Sequence, residues 1–275
     1  MQARLNLWHR ALRRLFEDSG FAMAGAIAYS FLLSLFPFCI FLGALAGTIG
    51  GRDLANYAVR QLFEVVPLPV AQALTPEVER VMGQSQYGIL TFGAAISLIF
   101  ATSAIESLRS ALNAAYRVKE GRSYAFCIAQ SSFFVFLTAT AILTVAWGVV
   151  VGPAIAQSSG SVALHWLIDH GLFATPTRYS IVIAVTMVQL VAYHLWLAAG
   201  KRSLWEVWPG VLISMVLWLV AAALYSRWLA ISDYAKFYAG LTQLFSALIF
   251  FQYTGVIIIL GAEFNRALAD VKAAA

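Results

Sequence analysis

Two Glu-x-x-Arg pairs, Glu106-Ser-Leu-Arg109 and Glu263-Phe-Asn-Arg266, are the residues whose type and spacing most invite chemistry. Spacing of i to i+3 sets each carboxylate and its guanidinium on one helix face, within pairing reach. Both pairs close long apolar runs, where ionisable groups are costly and often mark a solute path or gate. The chemistry they suggest is ion-pair exchange, a gate in which Glu106 and Glu263 swap partners between conformations. The plainer alternative is anchoring, with long side chains reaching headgroup water at the helix ends.

Other polar residues sit deeper. Tyr29, Ser34 and Pro37 fall in the first apolar run. Pro37 removes an amide from the helix ladder and predicts a kink, which could free carbonyls for a solute or be satisfied by Ser34 and neighbouring helices. Gln189, His194, Gln243 and Gln252 could line a cavity or hydrogen-bond between helices. An enzyme finds little support. The chain has no H-E-x-x-H, G-x-S-x-G, P-loop or Cys-x-x-Cys. His165, Asp169 and His170 lack the spacing of matched metal ligands on one helix face, so no metal or cofactor is expected. His194 with Glu263 is the one faint acid–base pair.

Those side chains must be held by membrane helices. Hydrophobic residues make up 61% of the 275 and charged residues 11%, against about 25% charged in soluble domains. Uncharged runs recur along the chain, each long enough to cross a hydrocarbon core of about 30 Å. They predict an all-α polytopic protein with six transmembrane helices near 21–49, 87–107, 126–152, 179–200, 207–230 and 240–264, in a single membrane domain over 1–275. The first run is too long for a signal-peptide core and is read as a retained helix. Cys39 and Cys127 lie inside apolar runs and read as small core residues. The segment 52–86, with Pro67, Pro69 and Pro76, predicts a small helical cap outside the membrane, and 162–173 an amphipathic interfacial stretch.

Charge gives an orientation. Of the 18 Lys and Arg residues, twelve fall on the side holding both termini and six on the other. The positive-inside rule therefore predicts cytoplasmic termini. Trp205 and Trp208, flanking Lys201, Arg202 and Pro209-Gly210, resemble an interfacial aromatic belt. Gly43-Ala-Leu-Ala-Gly47 would permit close helix approach, within the chain or between copies.

Four segments together resemble the YihY / virulence factor BrkB family. They are Ala24-Gly-Ala-Ile-Ala-Tyr-Ser-Phe-Leu-Leu-Ser-Leu-Phe-Pro37, Ser107-Leu-Arg-Ser-Ala-Leu-Asn-Ala-Ala-Tyr116, Trp208-Pro-Gly210 and Gly261-Ala-Glu-Phe-Asn265. The likeness runs from about Leu15 to Leu268. It implies a six-helix bacterial inner-membrane protein with both ends in the cytoplasm, and marks Glu263 and Asn265 as family-type positions without assigned roles. The family's former label, ribonuclease BN, is generally regarded as a misassignment; members have been linked to envelope lipid traffic.

The leading expectation is a candidate transporter or exporter of a lipid-like or amphipathic envelope component, working without nucleotide hydrolysis. Its residues would be Tyr29, Ser34, Pro37, Glu106, Arg109, Gln189, Gln252, Glu263, Asn265 and Arg266. Its partners would be membrane lipids and not nucleic acid. A non-transporting scaffold for envelope machinery is the alternative.

Overall fold

The protein was analysed as a computed structural model that describes residues 2–34, 86–146, 175–231 and 241–273. Every regular element among the described residues is helical. The helices are α1 (Gln2–Glu17), α2 (Gly20–Ser34), α3 (Gln86–Tyr116), α4 (Tyr124–Ala146), α5 (Thr175–Ala192), α6 (Leu204–Ile231) and α7 (Leu241–Ala273). A π-helical turn, Tyr193–Leu197, extends α5. Five of them, α3 to α7, contain spans long and apolar enough to cross a membrane, and α2 is a shorter apolar helix. This is a polytopic membrane protein.

The bundle closes on itself. Helix α3 packs on α4, α4 on α5, α5 on α6, α6 on α7, and α7 returns to α3. Helix α1 lies outside this ring, against α7. Helix α2 also rests on α7, where Gln252 Nε2 donates to the Phe21 carbonyl (2.9 Å) and Phe31 stacks on Phe251. Lipid is as apolar as leucine, so such helices associate through close packing and polar contacts rather than water exclusion. The α6–α7 seam shows this best. A Cβ added at Gly210 would land on the Gly261 carbonyl oxygen, and one at Gly261 on Ser214 Oγ. Ser214 Oγ donates across the seam to the Ile257 carbonyl (3.0 Å).

Two helices run farther than their charges suggest. Helices α3 and α7 continue to Tyr116 and Ala273, where the sequence predicts ends near 107 and 264. Of the residues read as end markers, Arg109 is bonded inside the bundle, Glu263 is buried, and Arg266 keeps a part-exposed partner in Asp270. Pro37, Gly43–Gly47, the outer stretch 52–85, and His165, Asp169 and His170 lie outside the described residues, and with them the expected kink and cap.

The connections 18–19, 117–123 and 198–203 gather at one end of the bundle, together with the close of α7. Helix α3 ends in a Schellman turn, Val118 N donating to Asn113 O and Arg117 N to Ala114 O (both 3.0 Å). The left-handed position of that turn (φ 55°) usually takes glycine; here it is Arg117. Ser19, between α1 and α2, is also left-handed (φ 58°). At the start of α6, the Glu206 carboxylate reaches back to accept from Ser203 N (2.9 Å), half of a capping box.

Candidate functional site

Three polar assemblies occupy this basic end. The first joins α3 to α4. Arg109, almost wholly buried, donates from Nη1 to Glu106 Oε1 (2.7 Å) and from Nη2 to Ser131 Oγ (2.6 Å) and the Cys127 carbonyl (2.7 Å). Ser131 Oγ in turn donates to Glu106 Oε1 (2.6 Å). The expected Glu106–Arg109 pair is therefore present, closed into a ring by a residue the sequence reading passed over. A ring of this kind offers each charge a fixed partner.

The second Glu-x-x-Arg pair is not formed, which corrects the expectation for α7. Arg266 Nε lies 3.0 Å from Asp270 Oδ1, one turn on, and Asp270 also takes Arg14 of α1 (2.9 Å). Glu263 faces Arg117 instead. It is fully buried, and neither carboxylate oxygen accepts a hydrogen bond. Arg117 Nη1 lies 3.5 Å from Glu263 Oε2, while its Nη2 donates to Asp18 Oδ2 at 2.8 Å. Arg117 and Asp18 are each about a third exposed (36%). One guanidinium at the water boundary is thus shared between a surface carboxylate and a buried one, with the closer contact to the surface partner. The left-handed backbone at Arg117 aims the side chain there, at a cost of about 1–2 kcal/mol that a glycine would not incur.

The third assembly joins α3, the π-turn, α6 and α7. Gly210 N donates to Asn265 Oδ1 (2.6 Å), which fixes the amide's orientation, so Nδ2 donates to the Val207 carbonyl (2.9 Å) and to Tyr116 Oη (3.1 Å). Tyr116 Oη and His194 Nδ1 share a 2.6 Å hydrogen bond whose direction is set by the histidine tautomer. The other ring nitrogen, His194 Nε2, is buried without a partner. The Arg202 guanidinium stacks over the Tyr116 ring, 4.0 Å from its centroid, and donates to the His194 and Ala199 carbonyls. Burial lowers the Arg202 pKa somewhat, against the opposing pull of Tyr116 and Glu206. His194 and Glu263, the faint acid–base pair, share no hydrogen bond or ion pair among the described residues.

The 117–123 loop ties the assemblies together. Glu120 and Arg122 pair through two bonds (2.6 and 2.7 Å). These bonds hold the Glu120 carboxyl down at about 2, well below its ordinary value, despite partial desolvation. Arg122 also donates to the Trp196 and Leu197 carbonyls at the close of the π-turn. Asn113 bridges Glu120 and the Ala199 amide.

The remaining candidates fall elsewhere. Tyr29 is exposed on α2, and Ser34 Oγ donates to its own helix at Phe31 O (2.7 Å). Gln189 Nε2 donates to Thr138 Oγ1 and Tyr193 Oη, and Gln252 binds α2; both link neighbouring helices. The side chain of Gln243 and all of Pro37 lie outside the described residues. Trp205 and Trp208 are exposed.

The chain matches the family described as virulence factor BrkB over residues 11–275. It belongs to the virulence factor BrkB family. Among relatives, the ribonuclease-like protein YfkH of Bacillus subtilis (strain 168) is 26% identical over 270 residues, spanning 95% of this chain and 96% of the relative. No solved structure matches. Family membership and the apolar helices agree on a multi-pass membrane protein. The BrkB family is not known as an enzyme family. Among the described residues no group of three or more His, Cys, Asp or Glu could hold a metal ion.

Asp18, Tyr116, Arg117, Glu120, Arg122, Ser131 and Arg202 are site residues that sequence reasoning missed. Tyr116 alone carried a signal, as the last residue of a family-like segment. The others stand in turns or pair across dozens of residues.

Proposed function

We propose that this BrkB-family chain is a transporter of a lipid-like or amphipathic envelope component in the bacterial inner membrane. Both termini would be cytoplasmic and no nucleotide would be hydrolysed. The observation that carries the reading is Glu263, a buried carboxylate within a membrane helix whose ion-pair partner, Arg117, is shared with Asp18 at the surface. Ionisable groups held at such a cost in membrane helices are functional by default. In this reading Arg117 is the latch of an inner gate. When it leaves Glu263 for Asp18 alone, α1 and the close of α3 loosen from α7 and expose the polar layer of Asn265, Tyr116 and His194. Glu106 and Arg109 are the fixed joint about which this happens, and do not exchange partners with Glu263.

The close glycine packing of α6 on α7 favours the second reading, a rigid scaffold. Proteoliposomes carrying a fluorescent phospholipid separate the two. Transport predicts that the purified chain speeds movement of the label between leaflets, and that Glu263→Gln alters the rate without changing reconstituted amount. No acceleration across lipids of differing headgroup would leave the scaffold.

A further inference from the structure

Helix α1 is amphipathic with three faces rather than two. Leu7, Ala11 and Leu15 are buried, on the side where α1 packs against α7. Arg14 anchors that side to Asp270 (2.9 Å). One step round the helix, at i, i+4 and i+8, Trp8, Leu12 and Phe16 form a second apolar stripe that stays exposed, Phe16 by 68%. The rest of the circumference carries exposed His9, Arg10, Arg13 and Glu17. Packing on α7 explains the first stripe and leaves the second without an occupant. The edge of the second stripe does touch α7, where Trp8 meets Phe264 (ring centroids 5.1 Å apart).

We infer that α1 lies in the headgroup–acyl boundary of the leaflet at the basic end and takes anionic phospholipid as its partner. Two observations choose lipid. The stripe runs without a break onto the bundle's outer surface, since Phe16 packs on exposed Phe21 at the start of α2 (ring centroids 5.0 Å apart). Three side chains on one short helix also fall well below the roughly 800 Å² per partner that a stable protein interface buries. Charge chooses the anionic headgroup. Arg10 has no ion pair among the described residues, and Arg13 uses only Nε on Glu17 (2.7 Å), leaving both Nη groups to face outward. A helix with aromatic and leucine residues below and arginines above sits about 5–10 Å into the boundary. Each arginine near an anionic surface strengthens binding about fivefold. This inference holds whether or not the protein transports anything.

The test uses the full chain with Cys39 and Cys127 replaced, in nanodiscs of phosphatidylcholine with or without phosphatidylglycerol. Spin labels are placed singly at Leu12→Cys, Phe16→Cys and Glu17→Cys, and collision with oxygen is compared with collision with a water-soluble nickel chelate. With phosphatidylglycerol present, labels at 12 and 16 should favour oxygen and the label at 17 nickel. Omitting phosphatidylglycerol, or adding Arg10→Gln with Arg13→Gln, should move 12 and 16 toward the nickel side. Nickel-accessible labels at 12 and 16 in every disc would overturn the inference. So would equal burial in both lipids, or protection persisting in detergent with spin–spin broadening, which would put a second copy on the stripe.

Discussion

The Glu106 and Glu263 regions share one sequence pattern, Glu-x-x-Arg, and use it in opposite ways. At Glu106 the carboxylate, Arg109 and Ser131 form a closed ring between two helices. At Glu263 the local arginine turns to Asp270, and the carboxylate depends on Arg117 from the turn after α3. The two sites also differ in height. Arg117 follows α3's last residue, so Glu106 lies about 15 Å deeper along that helix. The pair closed by Ser131 resists rearrangement because every alternative leaves the buried Arg109 charge bare, whereas Arg117 already faces two carboxylates, Asp18 through a hydrogen bond and Glu263 through a looser 3.5 Å contact. The same spelling therefore gives a joint in one place and a latch in the other.

The widest gap between the regions should appear on removing each arginine. Arg109→Ala leaves the Glu106 carboxylate without its counter-charge and the Cys127 carbonyl without its donor, and should cost about 3–5 kcal/mol. Thermal unfolding of the detergent-purified chain would read this as a sharp fall in Tm or in folded yield. Arg117→Ala should cost less, about 2 kcal/mol, because about a third of its side chain is exposed to water. Arg117→Gly sharpens the point. It removes the same charge but suits the left-handed turn, so it should be about 1 kcal/mol more stable than Arg117→Ala while opening the latch equally.

Smaller effects follow for the carboxylates. Glu263→Gln relieves a buried charge and should change stability by under about 1 kcal/mol, in either melting or denaturant titration. A loss comparable to Arg109→Ala would make Glu263 a structural ion-pair member like Glu106. The Glu120–Arg122 knot provides the weakest perturbation, by pH. Its folded carboxyl titrates at about 2 against an ordinary 4.5. A lowered folded value means that its contribution is complete above about 4.5 and fades as pH falls toward 2. The Tm gap between the parent chain and Glu120→Gln should thus narrow over that window and stay constant from there to neutrality.

The spans were legible because hydrocarbon imposes length and apolarity on each one. Five of the expected helices carry candidate spans, and the described part of the first is helical through Ser34. The Glu106–Arg109 pair was legible for the same local reason, a contact between residues three apart. The fate of Glu263 was not. Arg117 and Asp18 reach it through tertiary packing, and Arg117 gets there by occupying a turn position where pattern reasoning expects glycine. Tyr116 and His194, 78 residues apart, meet only because a π-turn and a Schellman turn end their helices at the same level. Charges near 107 and 264 also read as helix ends, since an isolated ion is expected to seek water. Arg109 finds its partners inside the bundle, and Glu263 is buried beside Arg117 at the water boundary.

The latch is tested most directly by a single thiol at Ala262→Cys, beside Glu263, in a chain lacking Cys39 and Cys127. A second thiol at Ala104→Cys, close to the Glu106 ring, serves as the fixed reference. Both positions are fully buried. Labelling by a membrane-impermeant maleimide from the basic side should be slow at both in the parent chain. Arg117→Gly should speed it at 262 and leave 104 protected. Equal protection at 262 with and without Arg117, in protein that melts normally, would contradict a latch and make this end of the bundle as fixed as the Glu106 ring.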